Sequence, residues 1–333
     1  MHNMGSRMTT FKQTRRAVVL GAIGGTALVL ASKGRAQSLP AVAVAPAQIR
    51  IGFQKSAVNL VLLKQRGVLE QRFKNSKVSW IEFPAGPQLL EALAVGSVDF
   101  GLTGDSPPVF AQAAGKDLLY VGAEPPKPES SAILVPATSS INNLADLKGK
   151  RIAFQKGSSA HYLVLRALEK GQVAWSDIQP AYLTPAEARA AFERGSVDAW
   201  AIWDPFYAAA EVAIKPRVLT TGSGLAENNS FYLAARGFVE NSPHTIRDLL
   251  QALTEADHYA QTNRKEAAKI IAEFTGLDLA TSFRFLGRRP PSKVDLLSST
   301  IIAQQQRVAD AFFKLGLIPK SIRVADVVWQ PKK

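Results

Sequence analysis

The sequence contains no cysteine and only four histidines among its 333 residues. The absence of cysteine excludes disulfides, thiolate zinc sites and a cysteine nucleophile. No two histidines have the spacing of a metal-binding motif such as HExxH, so a metal enzyme is disfavoured. We therefore expect a protein without cofactor or metal, and we do not expect an enzyme.

Long apolar runs are also missing, except near the N-terminus. Residues Ala17–Ala31 form an apolar run of about 15 residues, which is too short to span a membrane comfortably. Arg15 and Arg16 precede this run, and Gly34-Arg35-Ala36 follows it with the small-x-small pattern of a cleavage site. This layout predicts an export signal over residues 1–36. Because the twin arginines resemble a Tat signal, we expect a periplasmic protein exported by that route.

The net charge of +13 reflects an excess of basic residues. Residues 1–36 contribute +6 of it with no acidic residue, which leaves +7 for the remainder. In that remainder the basic residues are dispersed among acids, and no basic stripe with interleaved aromatics occurs, so a nucleic-acid partner is disfavoured. A moderate positive charge suits a protein that binds small anions.

Short apolar strands alternate with amphipathic helices after a Pro/Ala-rich leader at 37–47, which we expect to be flexible. Strands are predicted at Ile49–Phe53 and Val78–Phe83, with helices at Val58–Gln65 and Gln88–Val95. This alternation is typical of parallel α/β sheets.

The pattern then repeats once along the chain. Ile51–Lys55 matches Ile152–Lys156 at an offset of 101 residues, and Gly96–Asp99 matches Gly195–Asp198 at an offset of 99. Three matched signatures in the same order, the third being an aspartate shortly before a proline, predict two related α/β lobes. Lobe one is predicted to be discontinuous, with bounds 48–135 and 231–333, and lobe two to extend over 136–230. A stiff Pro-rich segment connects the lobes, and the second part of lobe one is mostly helical.

The segment Arg151–Gly171 reads as a buried strand, a turn of small residues and an amphipathic helix. Ser158 or Ser159 is a natural N-cap, and a helix start presents unpaired N–H groups that attract an oxyanion. His161 is a further donor close by. The alternative is that the serine only caps the helix, and the residues alone leave both interpretations open.

Several other residues lie at the carboxyl ends of predicted strands, where ligands bind in α/β proteins. Asp105 and Asp204 precede prolines, which is typical of helix capping, although contact with a polar ligand group stays open. Trp203 is predicted either to form an apolar wall for a ligand or to pack in the core. Lys55 and Lys156 also follow strands, and as exposed lysines they are expected to be solvated.

Long strings of the chain closely resemble the aliphatic-sulfonate-binding proteins of ABC importers. The resemblance extends over nearly the whole chain after residue 36, and its motifs include Gly52–Lys55, Glu82–Leu93, Gly96–Gly101, Gln155–Tyr162 and Ala201–Pro205. It implies a type II periplasmic-binding-protein fold, with two α/β lobes that close on a ligand and dock on a membrane permease. We expect a monomer. The ligand-binding residues that the resemblance and this geometry indicate are Gln54, Pro87, Asp105, Gln155, Gly157, Ser158, Ser159, His161, Trp203 and Asp204.

Three alternatives remain open at this level. The ligand could be another small anion such as taurine, nitrate or a sulfate ester. Related folds also include desulfinases and thiamin-pyrimidine synthases, but those enzymes use cysteine, which this chain lacks. A sensor that signals to a membrane receptor has the same sequence features as a transport protein.

Overall fold

Two five-stranded sheets run through residues 45–291 and 293–331, the part of the chain that this computed structural model describes. These residues belong to one compact unit. The predicted export signal at 1–36 and all but the last residues of the predicted leader lie outside the described residues. No described helix is long and apolar enough to cross a membrane.

Strands and helices alternate along the chain, and the C-terminal third is helical. The strands are β1 Gln48–Phe53, β2 Lys77–Glu82, β3 Phe100–Gly104, β4 Leu118–Glu124, β5 Ser131–Val135, β6 Arg151–Phe154, β7 Gln179–Tyr182, β8 Ala199–Trp203, β9 Arg217–Thr221 and β10 Ser230–Ala235. The helices are α1 Val58–Gln65, α2 Val68–Arg72, α3 Gly86–Ala94, α4 Ser106–Ala113, α5 Ser159–Lys170, α6 Pro185–Glu193, α7 Phe206–Ala213, α8 Arg236–Asn241, α9 Pro243–Thr262, α10 Arg264–Thr275, α11 Leu279–Gly287 and α12 Ser299–Lys314.

The two sheets have equivalent topologies, which confirms the two-lobed fold. Sheet 1 has the order β2-β1-β3-β10-β4, and sheet 2 has the order β7-β6-β8-β5-β9. In each sheet four strands run in one direction, and the fourth strand in the order is antiparallel to both of its neighbours. The sheets are therefore mixed rather than purely parallel, because the first strand after each connection between the sheets, β5 in sheet 2 and β10 in sheet 1, runs opposite to its neighbours.

The two antiparallel strands, β5 and β10, show where the chain passes from one sheet to the other. β10 pairs with β3 and β4 in sheet 1, as the sequence suggested for residues 231–235. β5, which the predicted bounds assign to lobe one, instead pairs with β8 and β9 in sheet 2. The connections between the sheets are consequently residues 125–130 and 222–229, and the lobe bounds otherwise stay a prediction.

The repeated Gly-Ser-Val-Asp motif has the same structural role in both sheets. Gly96 and Gly195 have positive φ angles of 72° and 69°, a conformation that glycine adopts without steric cost as a helix ends. The aspartate then accepts a hydrogen bond from the backbone N–H at the start of the neighbouring strand: Arg50 donates to Asp99 at 2.8 Å and Arg151 to Asp198 at 2.7 Å. The motif therefore joins the end of a βα unit to a neighbouring parallel strand, β1 in sheet 1 and β6 in sheet 2.

Apolar side chains on the inner faces of the strands and helices form the cores. Around sheet 1, residues of β1, α1, α9 and α10 form one buried cluster, which includes Ile49, Ile51, Leu60, Val61, Leu253 and Ile271. The bounds of α1 are those predicted. Apolar spacing predicts a last helix over Ser292–Leu315, but α12 begins at Ser299. The predicted start is wrong because Ser298 accepts a hydrogen bond from the Ile301 amide as the N-cap, and the chain before it is held extended where Asp295 bridges Ala123.

Candidate functional site

The carboxyl ends of strands from both sheets enclose a small cavity of about 50 Å³. This is the position where ligands bind in α/β folds, because helix N-termini point toward it. Its walls come from both sheets, from the two connections between them and from α11. The lining residues are Gln54, Ser56, Gly86, Leu102, Gly104, Pro107, Lys127, Ser130, Ser158, Ser159, Trp203, Asp204, Asn228, Ser230 and Phe285.

An open groove of about 210 Å³ adjoins the cavity and shares Gln54, Ser56 and Trp203 with it. The Trp203 and Phe206 rings form its aromatic wall, with centroids 6.2 Å apart in an edge-on arrangement. The remaining groove residues are Lys55, Glu82, Phe83, Pro84, Thr184, Pro185 and Ala186. Cavity and groove together suit a molecule with a small polar head and an apolar tail.

The N-terminus of α5 supplies backbone donors at the cavity. Ser158 is the N-cap by its extended backbone, but its hydroxyl donates to the Gln155 carbonyl at 2.7 Å and makes no capping bond. Among the described residues, no acceptor contacts the amides of Ser159 and Ala160. These two N–H groups, at the positive end of a twelve-residue helix, can therefore receive an anion.

Ser159 also connects the two sheets. Its side chain hydrogen-bonds the carboxylate of Asp105, which follows β3 in sheet 1 and accepts a second bond from the Ser106 hydroxyl at 2.9 Å. Burial raises the pKa of Asp105, and these hydrogen bonds oppose the rise. Asp105 makes no side-chain capping bond to α4, so the capping interpretation is wrong for this residue. It lies beside the cavity rather than lining it.

His161 is fully buried behind the cavity. Its Nδ1 accepts a hydrogen bond from the Gly157 amide at 3.2 Å, and its ring lies 5.0 Å from the rings of both Phe154 and Phe312. Burial lowers the pKa of His161 to about 3, so the imidazole is neutral. His161 is therefore not a donor in the cavity wall. The Gly157 amide is also not free to bind a ligand, because it donates to His161.

The glutamines and Pro87 have separate positions. Gln54 lines both the cavity and the groove, and its Nε2 donates to the Leu102 carbonyl at 2.9 Å, which fixes the orientation of the side chain. Gln155 and Pro87 do not line the cavity. Pro87 instead packs against the turn at Gly157, where a Cβ would lie 3.8 Å from the Pro87 ring.

Lys127 is a cavity residue that the sequence analysis missed. It lies in the connection from β4 to β5, and its side chain is only 13% exposed. The ammonium is 3.0 Å from Glu124 Oε2 and 2.7 Å from the Ser230 hydroxyl. Burial lowers the pKa of Lys127, but the Glu124 carboxylate opposes this effect, so we expect the ammonium to persist at neutral pH. It supplies a positive charge to the cavity.

Glu124 is itself the centre of a buried polar network. Tyr232 donates to Glu124 Oε1 at 2.8 Å and Asn59 donates to the same oxygen at 3.2 Å, while the Arg289 guanidinium lies 3.6 Å away. Burial by itself would raise the pKa of Glu124, but Lys127 and Arg289 outweigh burial and lower it to about 2. Glu124 is thus an ionised anchor that fixes Lys127.

Asp204, at the end of β8, lines the cavity and is paired. It accepts a hydrogen bond from the Ala208 amide at 2.9 Å, so it caps α7, and both of its oxygens contact Arg288 Nη1, at 3.0 and 3.3 Å. Arg288 follows α11 and was not predicted to belong to the site. The sequence contains only weak signals for these two residues. Lys127 lies among prolines in a connection between the lobes, and Arg288 is one of two consecutive arginines after α11.

Comparison with known proteins places the chain among binding proteins. The NMT1/THI5 like family model matches residues 77–267. An aliphatic-sulfonate-binding protein of Escherichia coli (strain K12) is 49% identical over 286 residues, which cover 86% of this chain and 90% of that protein.

Two solved structures share the fold closely. The alkanesulfonate-binding protein of Xanthomonas axonopodis pv. citri, bound to MOPS, superposes with a TM-score of 0.84 at 51% identity, covering 86% of this chain and 99% of that chain. The periplasmic aliphatic sulphonate binding protein of Escherichia coli superposes with a TM-score of 0.81 at 49% identity, covering 87% and 94%.

Proposed function

Because this chain belongs to the NMT1/THI5-like family and has the fold of periplasmic binding proteins, we propose that it captures aliphatic sulfonates for an ABC importer. About half of the aligned residues are identical to those of two proteins that are named for binding such ligands. The ligand enters the cleft between the two lobes, and the closed complex delivers it to a membrane permease as a source of sulfur.

The observation that carries this function is the meeting of a helix N-terminus and a buried ammonium at one cavity. Ser159 at the start of α5 and Lys127 both line it. A sulfonate carries one negative charge over three oxygens and stays ionised at any cellular pH. The amides of Ser159 and Ala160, the serine hydroxyls and Lys127 together offer enough donors for three oxygens.

The groove beside the cavity receives the alkyl chain of the ligand. Trp203 lies at the junction of the two spaces and forms, with Phe206, an apolar wall. Burying methylene groups against this wall stabilises the complex by about 0.8 kcal/mol per fully buried CH₂. Affinity should therefore rise with chain length until the groove is full.

Taurine fits the cavity less well. The two carboxyl groups at the cavity already have partners: Asp105, beside it, accepts from the Ser106 hydroxyl, and Asp204, in its wall, accepts from Arg288. The ammonium of this short ligand would lie in the cavity without a free carboxylate, and burying an unpaired charge is costly. We therefore favour sulfonates that lack an amino group close to the head.

The same residues do not favour catalysis. The related proteins are named for binding, and a desulfinase-like reaction through a thiolate is excluded because the chain has no cysteine. We propose that residues 1–36 direct the protein through the Tat route to the periplasm, where it works as a monomer.

Isothermal titration calorimetry of residues 37–333 tests this function. The titrants are 1-butanesulfonate, taurine, sulfate and nitrate, in a buffer that contains no sulfonate. We expect 1-butanesulfonate to bind tightest. Ligand at 100 times its Kd should also raise the free energy of unfolding by about 2.7 kcal/mol. Binding of one of the other solutes, with no binding of any alkanesulfonate, would refute the proposal.

A further inference from the structure

A carboxylate in the wall of the cavity is unexpected for a site that binds an anion. Asp204 lines the cavity and is almost completely buried. Burial raises the pKa of Asp204 to about 7, although Arg288 and the Ala208 amide act in the opposite direction. A sulfonate in this cavity would meet a negative charge unless that charge were cancelled.

Arg288 contacts Asp204 but does not itself line the cavity. Its Nη1 contacts both Asp204 oxygens, its Nη2 hydrogen-bonds Glu211, and its Cζ lies 3.8 Å from the centroid of the Tyr207 ring. The Arg288 side chain is 15% exposed. The guanidinium is thus held in place by three partners, Asp204, Glu211 and Tyr207, and is not among the residues that line the cavity.

We propose that Arg288 is a positioning residue for anion capture: it cancels the charge of Asp204 and thereby makes the cavity wall acceptable to a sulfonate. This inference rests on the proposed function. Asp204 can then cap α7 without repelling the ligand. Selectivity for an anion therefore depends on Arg288, which does not contact the ligand.

The charges around Asp204 support this role. On α7, Tyr207 and Glu211 face the pair, and Glu211 receives a second arginine, Arg284, at 3.2 Å. From the connection between the sheets, Lys127 lines the same cavity but is committed to Glu124. Asp204 and Glu211 are matched by Arg284 and Arg288, so removing Arg288 leaves one uncompensated negative charge at the wall once the pH is high enough to ionise Asp204.

Four proteins test the proposal by calorimetry with 1-butanesulfonate: wild type, Arg288→Met, Asp204→Asn and the double variant. Because Arg288 lowers the pKa of Asp204, that pKa lies above about 7 in Arg288→Met, and the comparison is therefore made at pH 9 or higher. There we expect Arg288→Met to weaken binding by about tenfold or more, since a buried unit charge within several ångströms of the ligand repels it. Asp204→Asn should bind more tightly than wild type. The double variant should return to within about threefold of wild type, because its wall is neutral again.

Arg284→Met is the matched control. Arg284 lies on α11 one turn earlier and contacts Glu211, but its side chain is 50% exposed and it does not contact Asp204. We expect its affinity to remain within about twofold of wild type, because exposed ion pairs contribute little. Thermal unfolding of every variant shows whether it is folded, and if Arg288→Met does not fold, Asp204→Asn still decides the question.

A pH series separates the electrostatic role from a structural one. Arg288→Met and the double variant differ only in whether residue 204 titrates. Their affinities should therefore agree at low pH and diverge as Asp204 ionises, by at most about tenfold per pH unit. Lys127 affects both alike. Three results would each overturn the inference: an Arg288→Met affinity equal to that of wild type, an Asp204→Asn affinity below that of wild type, or a double variant whose affinity is not restored. If the wild type itself binds no sulfonate, the proposed function is overturned instead.

Discussion

Gly104 offers a steric test of how the two sheets meet over the ligand. It ends β3 at the cavity, and a Cβ on this residue would lie 2.0 Å from Ser159 Oγ and 3.3 Å from Ser159 Cβ. Heavy atoms do not approach to 2.0 Å without a bond, so Gly104→Ala must displace the serine hydroxyl. Gly104 does not have a positive φ, and alanine is therefore tolerated by the backbone itself.

The cost follows from what the displaced hydroxyl does. Rotating Ser159 Oγ away removes its polar interaction with the buried Asp105 carboxyl group, and losing such an interaction costs about 1–3 kcal/mol. Gly104 belongs to sheet 1 and Ser159 to a helix of sheet 2, so this cost falls on the state in which the lobes are close together. We expect Gly104→Ala to weaken sulfonate binding by roughly 10- to 100-fold, with a smaller change in the stability of the free protein.

A double-mutant cycle with Ser159→Ala measures the effect. Removing Oγ from the Gly104→Ala protein removes the clash, so the double variant should bind 1-butanesulfonate more tightly than Gly104→Ala alone. Gly237→Ala is the control, because none of the described residues has an atom within 4 Å of a Cβ at that position. Wild-type affinity in Gly104→Ala, or purely additive losses in the double variant, would show that this reasoning is wrong.

Two further predictions concern the buried ion pair. Lys127→Met should weaken sulfonate binding by roughly tenfold or more, since it removes the positive charge from the cavity. Calorimetry measures this change, and an equal affinity in wild type and variant would contradict the role of Lys127. The pKa of Glu124 is lowered to about 2, so its stabilisation is complete above the unfolded value near 4.5 and is lost as the pH falls toward 2. Between pH 5 and pH 3 the wild type should therefore lose about 2 kcal/mol more unfolding free energy than Glu124→Gln, measured by urea denaturation, and parallel losses would refute it.

Local pattern was sufficient for most of the strands and helices. The bounds of α1 at Val58–Gln65 follow from helical spacing of apolar residues, and the repeated Gly-Ser-Val-Asp motif indicated two equivalent halves. The start of α12 was missed because the extended chain before it depends on a bridge from Asp295 to Ala123, residues far apart in the sequence. No local signal encodes such a contact.

For the cavity, too, some features follow from the local sequence and others do not. The sequence by itself determined that a helix starts at Ser158 and Ser159 after a buried strand, because capping and apolar spacing are local properties. Only the tertiary structure decided that Lys127 and Arg288 join this helix start, and that His161 turns away into an aromatic cluster. The physical reason is that charge pairing and burial act between segments brought together by two sheets, and neither can be read from the order of residues along one of them.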